Sequence, residues 1–176
     1  MTDLDERVVL LDDDGEAIGT TLKSTVHTTE TPLHLAFSCH VRDLDGRLLV
    51  TRRALSKRTW PGVWTNSFCG HPSPGEDMAS AIARRANDEL GIVLSDLRLV
   101  LPDFRYRAVD AGGIVENEVC PVFSAITADD VQADPDEVAE HRWVEPGDLE
   151  VAVSMAPWAF SPWLNLQLVE LATTRP

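Results

Sequence analysis

Two hydrophobic patterns dominate the chain: short apolar runs that predict β-strands, and one long helical stripe. Apolar and β-branched runs between turn residues predict strands over residues 8–11, 17–22, 33–41, 47–52, 97–108, 116–125 and 142–144. The first two strands form a hairpin around residues 13–15, and later turns lie at residues 45–46 and 110–113. The strands therefore predict a mixed, largely antiparallel sheet.

The helical stripe occupies residues 77–90. Its apolar residues recur at spacings of three and four, and they are Met78, Ala79, Ile82, Ala83, Ala86 and Leu90. Gly91 ends the helix. Two further helices are predicted over residues 148–155 and 162–172. Helices packed on the sheet predict the α+β class and a single domain over residues 1–176.

Charge is distributed unevenly along the chain. The formal net charge of −14 disfavours nucleic acid as a partner, because phosphate backbones bind clustered Lys and Arg. Residues 46–75 nevertheless contain no acidic residue and hold five of the 15 basic residues, Arg47, Arg52, Arg53, Lys57 and Arg58. This window is either a solvated basic surface or a site for a small anion. Residues 129–140 carry six acidic residues and predict a solvated loop with at most one short helix.

Cysteine content and hydropathy indicate a cytoplasmic protein. The three cysteines form an odd set, which favours reduced thiols. The acidic first residues do not resemble a signal peptide. No apolar run is long enough to span a bilayer, so no membrane partner is expected. The composition leaves open whether the protein is a monomer or a homodimer.

Histidines and glutamates suggest a metal site. Glu116 and Glu118 lie two apart on a predicted strand, so their side chains share one face and repel unless a cation or a donor lies between them. A first-row divalent ion would suit these carboxylates together with three imidazoles, His27, His34 and His71. Any one histidine is more often a core or surface residue, and His40 and His141 are assigned to that class.

The helix at residues 77–90 carries a spaced motif, G-x5-E-x7-R-x3-[ED]-E-x-G-apolar. The matching residues are Gly70, Glu76, Arg84, Asp88, Glu89, Gly91 and Ile92. The motif resembles the Nudix box, which implies an α/β/α sandwich around a mixed sheet. It departs from the box at Arg85 and Asp88, where a Nudix hydrolase has glutamates that hold magnesium. Helical spacing also predicts that Arg84 supports Asp88 one turn later.

The wider sequence resembles type 1 isopentenyl diphosphate isomerases, from about Leu10 to Leu168. The matching segments are RRALSK, WPGVW, TNSFCGHP, FRYR, ENE and WAFSPW, at residues 52–57, 60–64, 65–72, 104–107, 116–118 and 158–163. The resemblance implies a small-molecule diphosphate substrate. It also implies interconversion of isopentenyl and dimethylallyl diphosphate by protonation and deprotonation, through a tertiary carbocation.

The resemblance assigns the proton transfers to Cys69 and Glu118. Glu118 is expected to deliver a proton through Tyr106, and Cys69 to remove one from the opposite face, although the sequence leaves open which of the two is the acid and which the base. Because a free thiol has a pKa of about 8.5, Cys69 would need a helix N-terminus or a cation nearby to act as a thiolate. Taken alone, this cysteine could equally be an inert buried thiol.

Two metal sites are implied by the same resemblance. The ligands of the first fall on His27, His34, His71, Glu116 and Glu118. Its ion is Mn²⁺, Zn²⁺ or Mg²⁺, and mixed nitrogen and oxygen ligands favour Mn²⁺ or Zn²⁺. Glu89 and the main chain of Cys69 would hold a second ion, a Mg²⁺ that bridges to the substrate diphosphate.

The diphosphate itself is expected to bind four cations, Lys23, Arg53, Lys57 and Arg85. Arg85 would then replace a box glutamate because an anion must be bound at that position. The carbocation is expected over the ring of Trp163, where a desolvated cation–π contact stabilises by about 2 kcal/mol. The remaining tryptophans are expected to be packing residues, Trp60, Trp64, Trp143 and Trp158.

Two other functions remain open at this level. A Nudix-type diphosphate hydrolase would need the intact glutamate set, which Arg85 and Asp88 interrupt. A non-catalytic metal-binding or regulatory module would not need Cys69 opposite Glu118. Phosphate release from nucleoside diphosphate derivatives tests the first alternative, and the activity of a Cys69→Ala variant tests the second.

Overall fold

The computed structural model describes residues 6–174, as twelve strands, four helices and their connections. The strands are β1 (Arg7–Leu11), β2 (Ala17–Leu22), β3 (His34–Leu35), β4 (Phe37–Arg42), β5 (Leu48–Arg53), β6 (Trp64–Thr65), β7 (Phe68–Gly70), β8 (Ser95–Leu101), β9 (Arg105–Val109), β10 (Val115–Val119), β11 (Val122–Ile126) and β12 (Val138–Val144). The helices are α1 (Lys23–Val26), α2 (Met78–Leu90), α3 (Pro146–Met155) and α4 (Pro162–Thr174). A 3-10 turn over Pro157–Ala159 joins α3 to α4.

The strands form two sheets. One has the order β2-β1-β3-β10-β9, and the other has the order β12-β5-β4-β11-β8, with β6 paired to β5 and β7 to β4. The pairs β3–β10 and β4–β11 are parallel, and the other described pairs are antiparallel. The mixed, largely antiparallel arrangement is confirmed, but it is divided between two sheets instead of one.

Three of the predicted strands are broken in the structure. Residues 33–41 divide into β3 and β4, residues 97–108 into β8 and β9, and residues 116–125 into β10 and β11. In each case the two pieces belong to different sheets. Two of the breaks were not predicted because their corners are themselves buried: Ala36 is 1% exposed and Cys120 is 1% exposed. The apolar pattern continues through these two corners, whereas the third corner, at Pro102 and Asp103, is exposed.

Helices cover both faces of the larger sheet. Leu49 of β5 packs in one cluster with Ile82 of α2, whereas its neighbours Leu48 and Val50 pack with Leu164 and the buried residues of α3. Alternate residues of a strand point to opposite faces. Helix α2 thus lies on one face and α3 with α4 on the other, which confirms the α/β/α layering.

Helix α2 follows its sequence prediction closely. Asp77 is the N-cap, and its side chain accepts the backbone N–H of Ser80 at 3.1 Å. Gly91 closes the helix with φ of 64°, a left-handed conformation that glycine adopts without strain. None of the helices in the described range is long and apolar enough to cross a membrane.

Three local expectations are wrong. Arg84 pairs with both carboxylate oxygens of Glu76, at 2.8 Å each, and not with Asp88. The predicted loop at residues 129–140 extends only to residue 137, because residues 138–140 belong to β12. Trp158 is 83% exposed and is not a packing residue. The short elements β6, β7 and α1 were missed because two to four residues carry no periodic signal.

Candidate active site

A cavity of about 260 Å³ gathers the predicted site residues. Both sheets contribute walls: Glu118 lies on β10 of the smaller sheet, and Cys69 lies on β7 of the larger one. Every residue predicted for catalysis, metal binding or diphosphate binding lines this cavity except His34, which is completely buried. Residues distant in sequence therefore meet where the strands change sheets.

Cross-strand pairing aligns three of these residues in a row. Glu118 of β10 is directly paired with His34 of β3 on one side and with Tyr106 of β9 on the other. The Tyr106 hydroxyl donates to the carboxylates of both Glu116 and Glu118, at 2.6 and 3.0 Å. The two glutamates thus share one face, as their spacing predicts.

The histidine cluster surrounds Glu118. The donor atoms of His27, His34, His71 and Glu118 all lie within 4.8 Å of one another. His34 Nδ1 lies 2.9 Å from the carbonyl of Pro32 and donates to it, so Nε2 is the nitrogen left to face the cluster, with a lone pair when the ring is neutral.

Three buried ring nitrogens of the cluster lack a hydrogen-bond partner within the described part of the chain, namely His27 Nε2, His34 Nε2 and His71 Nδ1. Buried polar atoms are normally satisfied, because an unpaired one costs about 1–3 kcal/mol. A divalent cation with nitrogen and oxygen ligands would satisfy this set. The residues present therefore fit a metal site of three histidines and one glutamate.

Glu116 makes different contacts from its neighbour. Its carboxylate accepts from the Thr59 hydroxyl at 2.5 Å and from Tyr106 at 2.6 Å. It does not join the four-residue cluster in this conformation. The role of Thr59 was not predicted, since a threonine 57 positions away in sequence gives no local signal.

Cys69 is surrounded by neutral hydrogen-bonding groups. Its sulfur lies 3.2 Å from Ser38 Oγ and 3.4 Å from Asn66 Oδ1. Helix α2 begins at Met78, nine residues after this cysteine in the sequence. Neither Ser38 nor Asn66 was predicted as a site residue, because both reach the sulfur through tertiary packing.

The chain's own charges set the protonation states of these groups. Burial raises the pKa of the Cys69 thiol to about 12. Burial also opposes ionisation of Glu118, but contacts from His34 and His71 outweigh it and hold the pKa of that carboxyl well below its usual range. Burial and then the charge of Glu118 raise the pKa of Glu116. With these charges alone, Cys69 is a thiol and Glu118 a carboxylate, one of the two assignments of acid and base that the sequence leaves open.

The part of the cavity lined by Lys23, Arg53, Lys57 and Arg85 is called the basic end, and it holds ion pairs. Lys57 pairs with Glu137, and Arg85 pairs with Glu89 and lies 3.5 Å from Glu137. Arg85 and Glu89 are 9% and 6% exposed. Glu137 was missed because its acid-rich segment predicts a solvated loop, whereas here its carboxylate lines the cavity.

The other two predicted phosphate ligands are also engaged. Lys23 pairs with Glu6 at 2.5 Å. Arg53 donates to the carbonyl and hydroxyl of Thr59, and its guanidinium carbon lies 5.4 Å from the ring centroid of Trp163. This placement keeps Arg53 beside the ring that was predicted to meet the carbocation.

Trp163 is fixed by buried contacts at the start of α4. It is 1% exposed, and its Nε1–H donates to Asn66 Oδ1 at 3.0 Å. Its ring lies 5.7 Å from that of Tyr106 and 5.5 Å from that of Trp60. The aromatic wall is therefore rigid and adjoins the Tyr106 hydroxyl.

Sequence comparison identifies the relatives of this chain. Residues 32–164 match the NUDIX domain. An isopentenyl-diphosphate Delta-isomerase from Clavibacter sepedonicus is 67% identical over 163 residues, 93% of this chain and 86% of that protein. A protein of the same name from Kocuria rhizophila is 64% identical over 95% of this chain and 93% of its own length.

Solved structures support the fold. DR0079 from Deinococcus radiodurans superposes with a TM-score of 0.73 at 20% identity, covering 94% of this chain and 99% of that one. A MutT protein from Methanosarcina mazei superposes with a TM-score of 0.62 at 21% identity, covering 81% and 94%. At these identities the likeness concerns the fold alone.

Proposed function

This chain belongs to the isopentenyl-diphosphate Delta-isomerase family, and we propose that it interconverts isopentenyl and dimethylallyl diphosphate in the cavity described above. The observation that carries the proposal is the meeting of Cys69 and Glu118, from different sheets, in one cavity. An allylic shift needs one group to add a proton and another to remove one, and two walls can supply them to opposite faces of a substrate.

Glu118, with Tyr106, and Cys69 are the proposed proton-transfer groups. One proton is added to the terminal alkene carbon, which leaves a tertiary carbocation. A second proton leaves the neighbouring methylene carbon, and its bonding electrons form the new double bond. The hydrogen bond from Tyr106 to Glu118 supports a short proton path on that wall. Protons added and removed balance, so no other reactant is needed.

The metal ligands of the proposed site are His27, His34 and His71 with Glu118, and Glu116 as a fifth. A bound Mn²⁺ or Zn²⁺ would supply positive charge beside Glu118. Glu116 would join the set by exchanging one of its contacts with Thr59 or Tyr106. A Mg²⁺ held by Glu89 and the Cys69 main chain would supply charge to the diphosphate.

The diphosphate would bind the basic end, at Lys23, Arg53, Lys57 and Arg85. These side chains line the cavity beside Glu89 and Glu137. Phosphate oxygens would replace the carboxylate partners of Lys57 and Arg85, because charge-assisted bonds to a diphosphate use the same N–H groups. The carbon skeleton would then extend towards Cys69 and the aromatic wall.

Trp163 would stabilise the carbocation. Its burial excludes water that would otherwise quench the cation. Arg53 lies near the same ring, which supports a ring face able to bind positive charge.

Hydrolysis of nucleoside diphosphates is the weaker candidate. Glu89 is paired with Arg85, which occupies a position where a hydrolase box has a metal-binding glutamate. The three free thiols accord with a cytoplasmic enzyme, which remains part of the proposal.

The proposal is tested by incubating the protein with isopentenyl diphosphate, Mg²⁺ and Mn²⁺. We expect dimethylallyl diphosphate to form without release of inorganic phosphate. Cys69→Ala should lose at least about a hundredfold in kcat, the scale of a general acid or base. Cys39→Ala is the matched control, since that thiol is also buried but packs against α2.

Two outcomes would contradict the proposal. Phosphate release from nucleoside diphosphate derivatives at a rate above isomer formation would indicate a hydrolase. Cys69→Ala with the activity of the parent would remove this cysteine from the mechanism.

A further inference from the structure

A chain of buried polar side chains connects α4 to the reacting sulfur. It runs from His40 through Gln167 and Ser38 to Cys69. Ser38 and Gln167 are both 0% exposed, and His40 is 6% exposed. Polar groups at such depth are kept only when their hydrogen bonds are specific.

Strand geometry places the first members of this chain. Ser38 of β4 is directly paired with Cys69 of β7, so their side chains lie side by side on one face. His40 lies two residues along β4 and shares that face, while Phe37 and Cys39 point to the opposite face, against α2. Gln167 approaches from α4, on the Ser38 side.

The direction of each hydrogen bond follows from the chemistry of the amide. Gln167 Nε2 can only donate, and it lies 2.8 Å from Ser38 Oγ. Its Oε1 can only accept, and it lies 2.9 Å from His40 Nε2, which therefore carries a hydrogen. Burial lowers the pKa of His40 to about 4, which is consistent with a neutral ring held in this tautomer.

Ser38 is thereby committed as a donor to sulfur. Its oxygen already accepts from Gln167, so its hydrogen is directed to Cys69 Sγ at 3.2 Å or Cys120 Sγ at 3.4 Å. On the other side, Asn66 Oδ1 accepts from Cys69 Sγ at 3.4 Å.

The amide of Asn66 is itself fixed, because its Nδ2 donates to the carbonyls of Cys39 and Phe68 at 3.1 and 2.8 Å. The sulfur of Cys69 thus lies between the fixed acceptor of Asn66 and the Ser38 hydroxyl, whose single hydrogen is within reach of both Cys69 and Cys120.

We propose that Ser38 is a positioning residue for the proton transfer at Cys69, and that Gln167 and His40 hold its hydroxyl in the donating orientation. The proposal rests on the proposed function, because it concerns the cysteine that exchanges a proton with the substrate. Ser38 does not line the cavity and touches neither the diphosphate end nor the histidine cluster. Its loss should therefore affect the chemical step and not substrate binding.

Two variants test whether the orientation of the Ser38 hydroxyl matters, separately from the space that the side chains fill. Ser38→Ala removes the donor, and Gln167→Glu keeps the side-chain shape but replaces the donating amide by a carboxyl oxygen. Ser67→Ala is the matched control: Ser67 is also 0% exposed and bonds to Val41 and Leu49, but it does not contact Cys69.

We expect Ser38→Ala and Gln167→Glu to lower kcat about tenfold to a hundredfold, the scale of a misplaced reacting group, with KM within about twofold of the parent. Ser67→Ala should lower the melting temperature but keep kcat within about twofold, because its deleted bonds are structural. The rate of Cys69 alkylation by iodoacetamide, mapped by mass spectrometry, should fall in the first two variants and not in the third.

Parent-like kcat and Cys69 alkylation in a folded Ser38→Ala protein would overturn the proposal. If Ser38→Ala fails to fold, parent-like values in Gln167→Glu overturn it instead. Absence of isomerisation by the parent protein would refute the proposed function, and an active Cys69→Ala would remove Cys69 from the mechanism. The alkylation rates would still show whether Ser38 positions the sulfur, so the two failures are distinguishable.

Discussion

The histidine cluster and the basic end of the same cavity differ in how their polar groups are satisfied. Around Glu118, three buried ring nitrogens have no hydrogen-bond partner among the described residues. At the basic end, Lys57 and Arg85 are paired with Glu137 and Glu89. The chain supplies the counter-charges for these two cations, but among the described residues it leaves one nitrogen of each of the three imidazole rings without a hydrogen-bond partner.

This difference indicates how each end responds to its ligand. A metal ion adds contacts to atoms that lack them, so it should bind tightly and stabilise the fold. A diphosphate must replace carboxylates that are already bound, so its affinity is a difference between two sets of ion pairs. A metal ion would thus add contacts at the histidine cluster, whereas a diphosphate would exchange ion-pair partners at the basic end.

The largest expected effect is removal of the metal. Dialysis against a chelator should abolish isomerisation and lower the melting temperature, because a ligand that binds only the folded state stabilises it. Activity and melting temperature should return together with Mn²⁺, Zn²⁺ or Mg²⁺. Elemental analysis and thermal unfolding measure both. Full activity without any detectable ion would show that the cluster is not a functional metal site.

Arg85→Ala tests the exchange at the basic end. We expect KM for isopentenyl diphosphate to rise about tenfold to a hundredfold, because a hydrogen bond to a charged group contributes about 1.5–3 kcal/mol. Steady-state kinetics measure the change. Arg98→Ala is the control, since Arg98 pairs only with exposed Asp96 among the described contacts. Unchanged KM and kcat in Arg85→Ala would exclude a role in binding.

Glu137→Gln tests whether this carboxylate competes with the diphosphate for the cations of the basic end. Removing this carboxylate frees Lys57 and leaves Arg85 with Glu89 alone, without deleting a cation, so KM should fall by about fivefold or less, the size of a partly exposed ion pair. Glu140→Gln is the control, because Glu140 lies on β12 and pairs with Arg52 and Arg142 instead. A clear rise in KM would mean that Glu137 assists binding and does not compete with the diphosphate.

The smallest expected effect concerns Glu76, whose ion pair with Arg84 at the start of α2 is structural. The hydrogen bond from Arg84 lowers the pKa of Glu76 to about 2. A lowered folded pKa contributes stability above the unfolded value of about 4.5, and this is lost as pH falls towards 2.

Glu76→Gln should therefore cost about 1 kcal/mol or less at pH 7, after allowance for solvent screening, and almost nothing near pH 2. Urea unfolding at both pH values checks this. A loss of isomerase activity at pH 7 would instead connect Glu76 to the cavity.

The sequence predicted the residues of both ends better than their contacts. The stripe and caps of α2 were read from local spacing, because helix signals repeat within a turn. The corners that separate β3 from β4 and β10 from β11 were missed, since buried residues such as Cys120 continue the apolar pattern.

Glu137 and Ser38 were missed for a related reason. Lys57 meets Glu137 across 80 positions, and Gln167 meets Ser38 across 129. Such contacts depend on how the two sheets and α4 pack, which no local pattern records. The resemblance supplied the proposed metal and catalytic residues, but it did not supply the carboxylates and amides that contact them.

Incubation with isopentenyl diphosphate in D₂O, followed by NMR, tests the central claim most directly. We predict that the parent protein forms dimethylallyl diphosphate with deuterium in its new methyl group. Cys69→Ala and Glu118→Gln should form it at least about a hundredfold more slowly, because each lacks one proton-transfer group. Deuterium incorporation at the parental rate in either folded variant would contradict the assignment of Cys69 and Glu118 as the reacting pair.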